Sequence, residues 1–141
     1  MSDALLGVDV GSVRIGLAIS EHPDLPAMPL LTFKHESRAR DIERIVELAQ
    51  ARGARRIIVG NPMRLDGSAG PAAQKMDKFV AELRARFAGD VVQVDERLTT
   101  GAAQAKLLGG ELSPSRRREV VDQLAAVEIL QTYLAQAKHG S

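Results

Sequence analysis

The stretch Leu5-Leu6-Gly7-Val8-Asp9-Val10-Gly11-Ser12-Val13-Arg14-Ile15-Gly16-Leu17-Ala18-Ile19-Ser20 decides the fold. Residues 4–10 are apolar on both alternating faces, the pattern of a central strand in a sheet covered on both sides. Gly11-Ser12 is a turn, and Arg14–Ser20 reads as a second strand. So short a connection makes the pair an antiparallel hairpin. One ionisable group, Asp9, interrupts the first run. A charged carboxylate among apolar neighbours carries a large desolvation cost unless something positive compensates it.

Two further acids are placed in the same way. Glu96 closes the run Val91-Val92-Gln93-Val94-Asp95-Glu96, and Asp122 lies among Val121, Leu124, Ala125, Ala126 and Ile129. Strand side chains alternate, so Asp9 shares a face with Leu5 and Gly7, and Glu96 shares one with Val92 and Val94. Gly7 and Gly11 leave room around the Asp9 carboxylate. On the last helix Asp122, Ala126, Ile129 and Tyr133 fall on one face, and Ala125 and Ala126 let it come close to a sheet. Fixed positive charge is too sparse at these points to balance all three acids. Hard oxygen ligands without histidine suit Mg²⁺ or Mn²⁺ rather than zinc.

Around the hairpin the remaining elements follow in order. Glu21–Pro29, with Pro23, Pro26 and Pro29, reads as a loop, and Leu30–Lys34 as a third strand. Ile42, Ile45, Val46 and Ala49 give the stripe of a helix from about Ser37 to Arg52, stopped at Gly53. Arg56–Gly60 is a buried strand, and Asn61–Gly70 an exposed loop. Pro71 opens a second helix, with the stripe Met76, Phe79, Val80, Leu83 and Phe87, running to about Ala88. Val91–Glu96 is the fifth strand. Thr99 or Thr100 caps a short helix ending before Gly109-Gly110, and Ser113-Pro114 starts a last helix to roughly Ala137. The expected fold is α/β: a five-stranded mixed sheet, made of an antiparallel β1-β2-β3 meander plus parallel β4 and β5, with helices on both faces. The first strand sits centrally, beside the strand that ends at Gly60.

Composition narrows the class. The 141 residues suit one domain, 1–141, and the chain has no cysteine, so disulfides and thiolate chemistry are excluded. Neither a secretory start nor a run long enough to span a membrane is present, which gives a cytoplasmic expectation. The net charge is only +1, yet the cations are lopsided, with 14 Arg against 5 Lys. Arginine matches phosphate in a bidentate way, although a codon bias toward G and C produces the same excess. Arg116-Arg117-Arg118 stand in the first turn of the last helix, where cations oppose the helix dipole; a phosphate backbone would answer that cost, and so would solvent. The histidines His22, His35 and His139 fall in a loop, at a strand end and in the tail, positions that suggest solvated rings. Phe33, Phe79 and Phe87 look like core, leaving little for base stacking.

These residues carry a resemblance. Leu6 to Ala18 closely resembles the opening signature of the YqgF/RuvX family. So do Ile58-Val59-Gly60-Asn61-Pro62 with Asp66-Gly67, Val94-Asp95-Glu96-Arg97-Leu98-Thr99-Thr100, and Val121-Asp122-Gln123-Leu124-Ala125-Ala126-Val127-Glu128-Ile129-Leu130. The motifs occur in family order and span essentially the whole chain. The resemblance implies a ribonuclease H-like fold related to Holliday-junction resolvases, a nuclease activity, and a role in maturing the 5′ end of 16S ribosomal RNA. It makes Asp9, Glu96 and Asp122 the catalytic and metal-binding acids, with Glu119, one turn before Asp122, as the candidate for a fourth. Two Mg²⁺ or Mn²⁺ ions, about 4 Å apart, would then bind the scissile phosphate. Arg14 and Arg97, beside the acids, are phosphate contacts or else partners of Asp9 or Asp95. Asn61 departs from the family, which more often has an apolar residue there.

Two rivals stand beside this reading. Asp9-Val10-Gly11-Ser12 also looks like the first phosphate loop of the actin, Hsp70 and sugar-kinase ATPases, but those close two lobes and this chain has room for one. The other rival is a non-catalytic nucleic-acid or transcription-associated binding module, which metal-dependent cleavage would distinguish. Symmetric resolution of a four-way junction would call for a homodimer, with two sites about a two-fold axis.

Overall fold

The structure is a computed structural model that describes residues 3–11, 13–22, 24–61, 71–95 and 113–139. Five strands, β1 (Leu5–Val10), β2 (Arg14–Ser20), β3 (Met28–Lys34), β4 (Arg56–Asn61) and β5 (Asp90–Asp95), form one sheet in the order β3-β2-β1-β4-β5. The helices are α1 (Arg38–Ala51), α2 (Pro71–Arg86) and α3 (Pro114–His139). β1 is the third strand across, antiparallel to β2 and parallel to β4, and β4 is parallel to β5. The mixed sheet expected from the hairpin and the crossovers is therefore present. The short helix expected between Thr99 and Gly109 lies outside the described residues, as does the loop expected over Asn61–Gly70 except for Asn61, which ends β4.

Alternation divides the sheet into two apolar faces. Leu6, Val8, Ile15, Leu17, Ile57 and Val59 point to one side, where Ile42, Ile45, Val80 and Leu83 of α1 and α2 cover them. Leu5, Ala18, Ile58 and Val94 point to the other, against Ala126, Ile129 and Leu130 of α3. This double cover is why β1 reads as apolar throughout. Burying any one of these large side chains stabilises the fold by roughly 1.5–3 kcal/mol.

β4 runs one residue past the expected Gly60, β5 starts one residue before the expected Val91, and β3 starts two residues early. Pro29 lies within β3, which starts at Met28 rather than at Leu30. β3 is an edge strand, where a residue with no N–H to donate is tolerated. The β2–β3 register also shifts between Leu17 and Ala18, so that Ala18 opposes Pro29 while Leu17 opposes Leu31.

α1 is set by local chemistry. Ser37 has extended backbone and its hydroxyl accepts from Arg40 N–H, while the chain leaves the helix through Gly53 at φ 69°. Buried Asp41 accepts from Glu36 N–H at 3.1 Å and from the His35 ring. His35 is thus tied to a carboxylate rather than simply solvated. Its backbone N–H also bonds Val13 O at 2.9 Å, joining the end of β3 to the β1–β2 turn. Among the described residues no helix is long and apolar enough to cross a membrane.

Candidate active site

The β1–β2 turn brings the first site residues together. Gly11 N–H donates to Arg14 O at 3.0 Å, and a Cβ on Gly11 would lie 2.5 Å from that oxygen. The closure of this turn, rather than space around a carboxylate, is what requires glycine there. In the paired strands Asp9 stands opposite Gly16. Asp9 is four residues from Leu5, and Gly16 and Arg14 are two and four from Ala18. Leu5 and Ala18 both face α3, so Asp9, Arg14 and Gly16 share the α3 side of the sheet. Asp9 is half-buried there.

α3 lies almost in contact with the sheet backbone. A Cβ on Gly16 would come within 2.8 Å of Asp122 Cβ and closer still to the Asp122 carbonyl. A Cβ on Gly7 would meet Leu130 Cγ at 2.6 Å and Ala126 O at 2.8 Å. Small residues on both surfaces, Ala126 on the helix and Gly7 and Gly16 on the strands, make this approach possible. Sequence reading found the helix half of the device and missed Gly16.

Asp122 is delivered to the same end of the sheet as Asp9. Its Oδ2 accepts from Arg14 Nε at 2.7 Å. Arg14 therefore pairs with the acid of α3, an assignment not among those considered from sequence, which were Asp9 and Asp95. The Asp122 carboxyl is held above the ordinary carboxylate range. Desolvation is the largest cause, opposed by the Arg14 bond and charge and reinforced by repulsion from Asp9 and Glu119. That repulsion places Asp9 and Glu119 each within electrostatic reach of Asp122. Glu119 also pairs with Arg116 at 3.4 Å.

The first turns of α3 are fastened to the edge strand. Thr32 Oγ1 donates to Glu119 O at 3.2 Å and accepts from Gln123 Nε2 at 3.1 Å. Thr32 and Gln123 flank Asp122 and were not singled out from sequence. The one local signal is a polar residue at an α3-facing position of β3.

The other expected site residues divide as follows. On β5, Val94 and Val92 turn to the α3 side. Glu96 and Arg97 lie outside the described residues. Arg116 and Arg118 are exposed at the start of α3, with Ser113 Oγ accepting from Arg116 N–H, while the Arg117 side chain lies outside the described set. Among the described residues no three His, Cys, Asp or Glu side chains come together as a metal-holding group. The acids that are described, Asp9 and Asp122, are oxygen donors crowded by like charge. That chemistry fits a hard divalent cation and gives no soft ligand for zinc or copper.

A mixed sheet in this order, with α3 laid across the face that carries Asp9, is the ribonuclease H-like fold. The family described as RuvX, Holliday junction resolvase, matches residues 3–136. The chain belongs to this family of hydrolytic nucleases. It is 41% identical over 136 residues to a protein of Thermoanaerobacter pseudethanolicus, covering 96% of this chain and 98% of that one. A Desulforudis audaxviator protein is 39% identical, with 96% of each chain covered. Both carry the name "Putative pre-16S rRNA nuclease". Among solved structures, T. thermophilus RuvC in complex with a Holliday junction substrate superposes with a TM-score of 0.61 at 15% identity, over 98% of this chain and 96% of that one. Nucleases of this resolvase-like class work with divalent metal.

Proposed function

We propose that this chain hydrolyses phosphodiester bonds of structured nucleic acid at a divalent-metal site formed by Asp9, Glu96 and Asp122, and that its substrate is the 5′ end of precursor 16S ribosomal RNA. The carrying observation is that the central strand and the last helix present Asp9 and Asp122 at one end of one sheet face, close enough for Asp9 to oppose the ionisation of Asp122. Val92 and Val94 turn to that face, and strand alternation would bring Glu96 to it. The substrate class is supported by the names of the relatives at about 40% identity.

In this reading Asp9, Glu96 and Asp122 hold one or two ions, Mg²⁺ or Mn²⁺. When bound, these ions polarise the phosphoryl oxygen and supply a water of lowered pKa. The chain's own part is positional. Gly7 and Gly16 allow α3 to reach the sheet, and Thr32 and Gln123 fix the turn that carries Asp122. Arg116, Arg117 and Arg118, and Arg97 beside Glu96, bind substrate phosphates. Phe33, Phe79 and Phe87 are buried and Tyr133 is engaged by Arg56, so recognition rests on backbone and shape rather than on stacked bases. The protein acts in the cytoplasm.

Cleavage of four-way DNA junctions is the second reading, favoured by the fold shared with a resolvase seen on its junction. It needs a homodimer with two sites. The test is a cleavage panel of precursor 16S RNA, four-way DNA junctions and unstructured single strands, with Mg²⁺ or Mn²⁺. Metal-dependent cutting of the precursor RNA at its 5′ side is expected. Preference for the junction supports the second reading, and cleavage of none of the three supports a non-catalytic binding module.

A further inference from the structure

Among the described residues Arg14 is the cation paired with Asp122, and its position is built rather than incidental. The Gly11–Arg14 turn is closed by a backbone bond, which sets Arg14 at the first position of β2 on the α3 side. From there its Nε reaches Asp122 Oδ2 at 2.7 Å. Asp9 lies on the neighbouring strand and Glu119 one turn back on the helix. Among the described residues one guanidinium thus serves a carboxylate crowded by two other acids. Both members of the pair retain contact with solvent, with side-chain exposures of 27% for Arg14 and 18% for Asp122. An arginine with part of its length in water can leave by rotating its own side chain, with no movement of strand or helix.

A divalent ion bound to the same carboxylate would be repelled by the guanidinium beside it, so the two compete for Asp122. Cations a few ångströms apart repel strongly even with partial screening, and a doubly charged ion doubles the effect. We propose that Arg14 is an exchangeable counter-ion: it holds Asp122 in the metal-free protein, gives it up when the metal enters, and then contacts the substrate phosphate. The inference rests on the metal site proposed above. It assigns Arg14 two partners in sequence, a carboxylate and then a phosphate, in place of one permanent role. The planar fork of arginine suits both in turn.

The test uses the full chain. Mn²⁺ binding is measured by electron paramagnetic resonance of the free ion for the wild type, Arg14→Gln and Arg14→Lys, with circular dichroism as a check on folding. Arg14→Gln is expected to bind Mn²⁺ roughly tenfold more tightly, because a competing charge is gone. Arg14→Lys keeps the charge and is expected to stay near the wild-type affinity. Unchanged or weaker Mn²⁺ binding by a folded Arg14→Gln would overturn the proposal and leave Arg14 as a fixed support for Asp122.

A second measurement needs no variant. Solvent exchange at the Arg14 Nε–H of the wild type, followed by NMR, is expected to be slow without metal and fast at saturating Mg²⁺. Continued protection with Mg²⁺ bound overturns the exchange while the metal site stands. A wild type that binds neither Mn²⁺ nor Mg²⁺ overturns both this proposal and the catalytic reading.

Discussion

Gly16 of β2 lies directly beneath Asp122 of α3, so close that a Cβ on the glycine would stand 2.8 Å from the aspartate Cβ. The atoms it would meet include the helix backbone, which cannot turn aside as a flexible side chain could. Gly16→Ala should therefore push the N-terminal half of α3 off the sheet. A loss of about 1–3 kcal/mol is expected from overpacking alone, read by urea denaturation. Cleavage should fall further than stability accounts for, since the displaced turn carries Asp122.

The raised pKa of Asp122 makes the metal-free protein sensitive to pH in a definite direction. Its folded state favours the protonated carboxyl, so it binds more protons than the unfolded state between the ordinary carboxylate pKa and the raised value. Stability from this group is present in full below the ordinary value, about 4, and is lost as pH rises through the folded value. Urea midpoints measured with EDTA should decline over that window for the wild type. Asp122→Asn should flatten the decline, and an unchanged slope would show that another group produces it.

The far end of α3 provides a contrast. Tyr133 Oη accepts from Arg56 Nη1, and Arg56 Nη2 bonds Asp90 at 3.0 Å. Arg56 stands opposite Leu5, at the other end of β1 from Asp9. Tyr133→Phe removes a bond to a charged group and should cost roughly 1–3 kcal/mol. The rate of cleavage under conditions where the variant is folded should be that of the wild type. A large rate loss would mean that the two ends of α3 are coupled.

Arg116, Arg117 and Arg118 are assigned to substrate phosphates. Replacing all three by Gln should weaken nucleic-acid binding and flatten its salt dependence, with little change in rate at saturation. Arg116 also pairs with half-buried Glu119, but a surface pair of this kind is worth about 0–1 kcal/mol, so stability should hardly move. Unaltered affinity and salt slope would return the triplet to the role of a solvated face.

The hairpin and the central place of β1 were legible because double burial leaves an apolar run, and the short Gly11-Ser12 connection leaves room for nothing but a reversal. Asp9 was legible because it breaks that run. Asp122 was visible as an acid on the helix stripe, but its partner was not. Nothing local in sequence says that Arg14, at the start of β2, meets a residue near the end of the chain. Gly16 escaped notice for the same reason, since its small size matters only once α3 is laid across it. Pro29 misled because a proline normally marks a loop, and an edge strand is where that rule lapses. His35 was read as solvated since its partner, Asp41, is set by the fold of α1 against β3.

The central claim is that Asp9, Glu96 and Asp122 form one metal-dependent hydrolytic site. Single-turnover cleavage of precursor 16S RNA in Mn²⁺ by the wild type, Asp9→Asn, Asp122→Asn and the double variant tests it most directly. Residues of one catalytic unit are not additive, so each single change should lower the rate by about a thousandfold or more and the double change should be scarcely worse. Wild-type turnover by a folded Asp9→Asn protein, or losses that multiply in the double variant, would contradict a shared site.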